Sequence, residues 1–152
     1  MRGQGIAYAQ RDGTCVAVIA DVDVNRRTGR VWVRRVTVAH DCGLIVNPAT
    51  LITVIEGNVV QGISRTLYEE VRFDRRSVTS VDWQSYPILE MADAPEAIDI
   101  ELINRPEIAP TGAGEPTTRV VPAAINNAVF EATGIRFRRA PLTPERIRDA
   151  FA

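Results

Sequence analysis

The stretch Thr111-Gly112-Ala113-Gly114-Glu115-Pro116-Thr117 sets one carboxylate between two glycines and a proline. The glycines free the backbone, and Pro116 fixes φ near −65°, as at the first position of a helix. Peptide N–H groups at a helix start have no partner inside the helix. Such a place either binds an anion or holds a working carboxylate. A plainer alternative stands beside it: Glu115 only complements the helix dipole, at about 0.3–1 kcal/mol. Taken alone, the stretch is accounted for by the dipole.

Other chemistry-bearing residues are few. His40 is the sole histidine, and Cys15 and Cys42 are far apart with no CxxC spacing. That set does not build a zinc site. Free thiols are the default for the cysteines, with a single disulfide as the alternative. Cys42 reads as a small buried hydrophobe rather than a nucleophile. His40 and Asp41 read as loop-ordering residues, since an aspartate before a Cys-Gly turn readily accepts from backbone N–H groups. Arginines gather at 26–30, 34–35, 72–76 and 136–139. Most lie beside acids or turn residues and read as solvated faces, with a phosphate contact as the alternative for a few.

The elements that must position Glu115 follow from periodicity. Cys15–Val24 is β-branched and reads as a buried strand, and Val31–Ala39 alternates as a second. The short turn Asn25–Arg30 between them implies an antiparallel hairpin. Arg34-Arg35 interrupts the alternation and marks a bulge. Asn47 and Pro48 open a helix predicted to run to about Glu69, with Leu51, Ile55, Val59, Ile63 and Leu67 on its buried face. Gly57 and Gly62 inside it each cost about 1 kcal/mol relative to alanine. Either close helix packing or the approach of a ligand would account for them.

Val71–Phe73 reads as a short strand. Asp82–Met91 carries core-like Trp83, Tyr86, Ile88 and Leu89 around Pro87 and fits neither helix nor strand. Ala97–Asn104 alternates as a strand, and Arg105–Gly114 is irregular. A helix follows Pro116 with Val120, Val121, Ala124, Ile125, Ala128, Val129 and Ala132 inward and Gly134 at its end. Arg136–Arg139 reads as extended. Thr143 caps a last short helix with Ile147, Ala150 and Phe151 inward. The order implies an α+β fold, helices packed on a mixed or antiparallel sheet, as a single domain over residues 1–152.

Composition bounds the partners. Hydrophobic residues make up 45% and charged residues 24%, values of a globular domain. A formal net charge of −1 gives no global attraction to nucleic acid or an anionic membrane. No apolar run reaches the length of a membrane span, and no signal-peptide apolar region follows Met1. The abrupt glycine-bearing start reads as a piece of a longer protein.

One ordered set of motifs runs through nearly the whole chain. It comprises Asp41-Cys42-Gly43, Asn47-Pro48, Glu56-Gly57, Gln61-Gly62, Gly114-Glu115-Pro116 and Leu142-Thr143-Pro144-Glu145-Arg146-Ile147. Together they resemble the C-terminal part of the molybdenum-binding large subunit of the xanthine dehydrogenase and aldehyde oxidase family. The nearest branch is the isoquinoline 1-oxidoreductase beta subunit, where a segment like Gly3–Ala9 precedes the first hairpin. The resemblance implies part of a larger molybdopterin-binding domain. It also implies a molybdenum–molybdopterin cofactor, in the cytosine dinucleotide form of most bacterial members, and a [2Fe–2S] partner subunit. The implied reaction hydroxylates an N-heteroaromatic or aldehyde substrate with oxygen from water.

In that reaction Glu115 is the base toward Mo–OH. Gly112 and Gly114, lacking Cβ atoms, let the loop approach the cofactor and are its implied contacts. No residue here is an implied ligand of the metal. Gln61 reads as a polar group near the site rather than a contact. Two departures stand out. Val54 occupies a position where the family commonly has a cofactor-contacting glutamine. Gly3-Gln4-Gly5 mimics a cofactor motif that the family carries farther upstream, and its place before the hairpin leaves it unassigned. A second reading of the chain is a non-catalytic fragment or interaction module that does not bind the cofactor by itself.

Overall fold

The computed structural model describes residues 1–151. Four strands form one sheet in the order β1-β2-β3-β4, with β1 Arg2–Arg11, β2 Thr14–Val24, β3 Val31–Asp41 and β4 Ala97–Ile103. The first two pairings are antiparallel and β3 with β4 is parallel, so the sheet is mixed. Helices α1 Pro48–Leu67 and α2 Pro116–Thr133, with the short α3 Pro144–Asp149, complete the α+β fold. A 3₁₀ turn occupies Met91–Asp93.

The core lies between the sheet and the helices. Val16, Val18, Ala20, Val22 and Val24 of β2 and Val31, Val33, Val36 and Val38 of β3 meet the predicted faces of α1 and α2. The bulge falls where alternation broke. Asp21 pairs with Arg35 and Val22 with Val33, so Arg34 is the extra residue. That extra residue lets Val33 and Val36, three apart, both face inward. Asn47 accepts from Thr50 N–H at 3.0 Å and Thr143 from Arg146 N–H, as N-caps do. Gly134 ends α2 in the left-handed region.

β1 is the element that periodicity does not disclose. Its inward residues are Gly3, Gly5, Ala7 and Ala9, poor strand formers with little apolar signal. Their smallness is the point. A Cβ built on Gly5 would lie 2.3 Å from the Ala124 carbonyl oxygen, and one on Gly3 would lie 2.2 Å from that of Ala128. The glycines that mimic a cofactor motif therefore seat α2 against the strand.

The two internal glycines of α1 differ. Gly62 packs against Val121 of α2, with 2.7 Å between a built Cβ and the Val121 side chain, whereas Gly57 faces open space.

Several expectations are corrected. β3 continues through His40, which is fully buried rather than in a loop, and neither ring nitrogen has a partner. Val71–Phe73 forms only one bridge, Phe73 with Val78, because the turn at Asp74 returns the chain at once. Trp83 is 79% exposed and Ile88 is exposed, since the excursion over 70–95 places only Leu89 against the core. Ala150 is exposed at the end of α3, while Ile147 is buried. The default reading of the cysteines holds, since both are free thiols.

Two outcomes follow from this packing. Gly5→Ala should cost on the order of 1–3 kcal/mol, read as a lower denaturant midpoint, because backbone rather than a movable side chain blocks the methyl group. Burial holds the His40 imidazole below its ordinary value, against a smaller opposing pull from Asp41. The unfolded chain therefore binds a proton that the folded chain refuses. Stability is full above the ordinary histidine pKa of about 6.5 and falls as pH drops below it. Denaturant unfolding of His40→Leu across that range should lose this part of the slope.

Candidate functional site

Parallel pairing of β3 and β4 brings both strand ends, and the loops that leave them, to one end of the sheet. The tip of the β1–β2 hairpin lies there too, since Cys15 pairs with Asp41 and Asp41 with Ile103. Ligands of open sheets bind outside the carboxyl ends of parallel strands.

Backbone hydrogen bonds lace the two loops together. Leu44 N–H donates to Ile108 O at 2.9 Å, Arg105 N–H to Gly43 O at 3.1 Å, and Thr111 N–H to Cys42 O at 2.8 Å. Gly43 has φ +76°, and a Cβ there would meet the Ala109 carbonyl at 2.5 Å, so both its conformation and its surroundings require glycine. Asp41 orders the turn, as its type suggests. It accepts from Gly43 N–H at 3.1 Å and pairs with Arg105 at 2.8 Å, and these hold its carboxyl below the usual range. Burial pushes the Cys42 thiol up, so it stays protonated.

The Glu115 loop is tied from two further directions. Thr14, at the head of β2, lies 2.6 Å from the Thr111 hydroxyl and donates to Gly112 O at 2.7 Å. Asn58 of α1 donates to Gly114 O at 2.9 Å and to Val54 O at 2.7 Å. Its Oδ1 accepts from Thr118 N–H at 3.2 Å and from the Thr118 hydroxyl. Thr118 is the third residue of α2, the donor that an N-cap side chain usually satisfies. Glu115 stands at the N-cap position but makes no capping bond. A side chain from another helix performs the capping, and the Glu115 carboxylate is released from it. Thr14 and Asn58 leave faint traces in sequence: each is a polar residue in an apolar register, before Val16 and between Ile55 and Val59.

The Glu115 side chain is 71% exposed. It pairs with Arg119, one turn along α2, and with Arg11 of β1 at 3.5 Å. Arg11, Asp12, Gly112, Glu115 and Arg119 line a hollow of about 150 Å³. Beside it, sharing Gly114, is an apolar crevice of about 250 Å³ lined by Leu44, Val46, Leu51, Val54 and Thr111. Gly112 and Gly114 lack positive φ, and a Cβ on either would meet nothing. The fold itself needs neither glycine, and both border open space. Gln61 is exposed on α1 and lines neither hollow.

Comparison with known proteins identifies the family of this fold. Residues 4–95 match the molybdopterin cofactor-binding domain. The chain is 45% identical to a nicotinate dehydrogenase subunit from Pseudomonas putida, over 99% of this chain and 13% of that protein. It is 31% identical to the beta subunit of isoquinoline 1-oxidoreductase from Brevundimonas diminuta, over 92% of this chain and 18% of the relative. Of these two relatives, the greater identity is to the nicotinate enzyme. The crystal structure of quinoline 2-oxidoreductase from Pseudomonas putida 86 superposes with a TM-score of 0.81 at 29% identity, over 88% of this chain and 18% of that one. The chain belongs to the molybdopterin cofactor-binding domain family, among the molybdenum-binding subunits of the xanthine dehydrogenase and aldehyde oxidase type. It spans less than a fifth of the length of each protein named here.

Asn58→Ala should lower stability by about 2–3 kcal/mol, from the lost cap together with polar groups left buried without partners. Equilibrium denaturation measures this loss, and an unchanged midpoint would remove Asn58 from its capping role.

Proposed function

We propose that this chain is the portion of a molybdenum hydroxylase large subunit that presents the proton acceptor, Glu115. One observation carries the reading. The Glu115 backbone is fastened by Asn58 through Gly114, by Thr14 through Gly112 and by Cys42 through Thr111, while its carboxylate is left exposed. A general base needs such a fixed origin and a free reach.

The residues present fit a molybdenum–molybdopterin group. Gly112 and Gly114 border open space that the fold does not use, and they would let the cofactor's reacting end come close to the loop backbone. When bound, that group supplies the two-electron redox chemistry that hydroxylates a carbon with oxygen from water. The part played by this chain is to position and accept: the loop orients Glu115, and the carboxylate takes and later yields a proton. Val54 brings only a methyl surface to the neighbouring crevice, so its side chain adds no hydrogen bond to the cofactor.

The cofactor is proposed in its cytosine dinucleotide form, with electrons leaving to a [2Fe–2S] partner subunit. The remainder of the molybdenum subunit supplies the other cofactor contacts. The proposed substrate is an N-heteroaromatic compound, supported by the nicotinate, isoquinoline and quinoline named in the three relatives. An aldehyde is the other substrate class that the family chemistry accommodates.

In the complete enzyme, Glu115→Gln should abolish turnover while molybdenum content stays near normal. Steady-state hydroxylation assays beside metal analysis decide this, and retained turnover would sink the assignment.

A further inference from the structure

The Glu115 side chain is 71% exposed. It makes no capping bond, and the glycines before it leave open space on their outer side. An exposed glutamate left to itself samples several rotamers. Here two guanidinium groups pair with its carboxylate, and they come from unrelated elements. Arg119 reaches back along one turn of α2, and Arg11 comes from the end of β1, 104 residues away in sequence. Arg11 is itself oriented, because its Nε donates to Asp12 Oδ2 at 3.0 Å and its Nη1 is then the nitrogen facing Glu115. Both arginines contact the same atom, Glu115 Oε1. Among the described residues, no hydrogen bond falls on Oε2.

We propose that Arg11 and Arg119 are positioning residues for Glu115: they clamp Oε1, fix the plane of the carboxylate, and leave Oε2 as the oxygen that accepts the proton. This inference rests on Glu115 being the base. The β1–β2 hairpin thereby becomes part of the catalytic apparatus without touching substrate. Neither arginine acts on the reacting atoms. Their effect passes through the direction in which Glu115 points.

The test uses the complete molybdenum enzyme. The double variant Arg11→Gln/Arg119→Gln should lose kcat on the order of 10²-fold, the scale set by a misplacement of about 1 Å. KM and molybdenum content should stay near wild type. Arg119→Lys, which keeps a charge in reach of Oε1, should lose less than Arg119→Gln. A crystal structure of the double variant should show the Glu115 carboxylate in more than one orientation over an unchanged 111–117 backbone. Wild-type kcat in the double variant, or a single unchanged carboxylate orientation, overturns the clamp. So does a fall in molybdenum content that tracks the fall in kcat, since the arginines would then be holding the fold. If Glu115→Gln is inactive while the double variant is normal, only the clamp fails. If Glu115→Gln is active, the base assignment fails first.

Discussion

Asn58 joins the Glu115 loop, the first turn of α2 and helix α1 at one point. Its amide group holds the Gly114 carbonyl, its carbonyl holds the first turn of α2 through Thr118, and its backbone belongs to α1. It is buried, so an unmade bond there leaves a polar group without water, at roughly 1–3 kcal/mol. The helices advance in the same direction from this point, with Gly62 against Val121 one turn later. About eight residues of α1, roughly 12 Å of helix, therefore project past the start of α2 and form a ledge under the Glu115 loop. Removing the amide would loosen the ledge from the loop and strip α2 of its cap together.

The second constraint is topological. A hairpin followed by a parallel crossover gives three connections at one end of a four-stranded sheet. Loops are the natural place for function because they tolerate variation, yet a loop alone positions nothing. Here the loops 42–47 and 104–115 brace one another through main-chain bonds, and the hairpin residue Thr14 braces the second. The acid is carried by a segment without regular structure that nevertheless has its backbone fixed from several sides. Local order is achieved by cross-bracing in place of a helix or strand.

Much of this was legible beforehand. The β-branched alternation of β2 and β3, the four-residue recurrence in α1 and the Pro–Gly brackets of α2 each follow from a period that side-chain burial imposes. The helix start after Glu115 follows from the glycines and the proline around it. β1 was not legible, since Gly, Gln and Ala carry no strand preference and its reason for existing is a helix more than a hundred residues away. Trp83 misled for the converse reason: aromatic residues are usually buried, but this one sits in an excursion that the chain's own helices do not cover. His40 was misplaced because a polar side chain at a strand end reads as a loop. Asn58 and Arg11 act across long sequence separations, which local patterns do not encode.

The small-residue face of β1 has a mechanical consequence. Because backbone meets backbone there, with no side chain to act as a cushion, β1 and α2 share a frame of reference. Glu115 rides at the start of α2 and Arg11 at the end of β1. A shift of α1 relative to the sheet would strain the bonds from Asn58, yet it would leave acid and guanidinium together, because β1 and α2 keep their close contact. The aim of the carboxylate is thus insulated from small movements elsewhere in the domain, and that insulation comes from residues with almost no side chain at all.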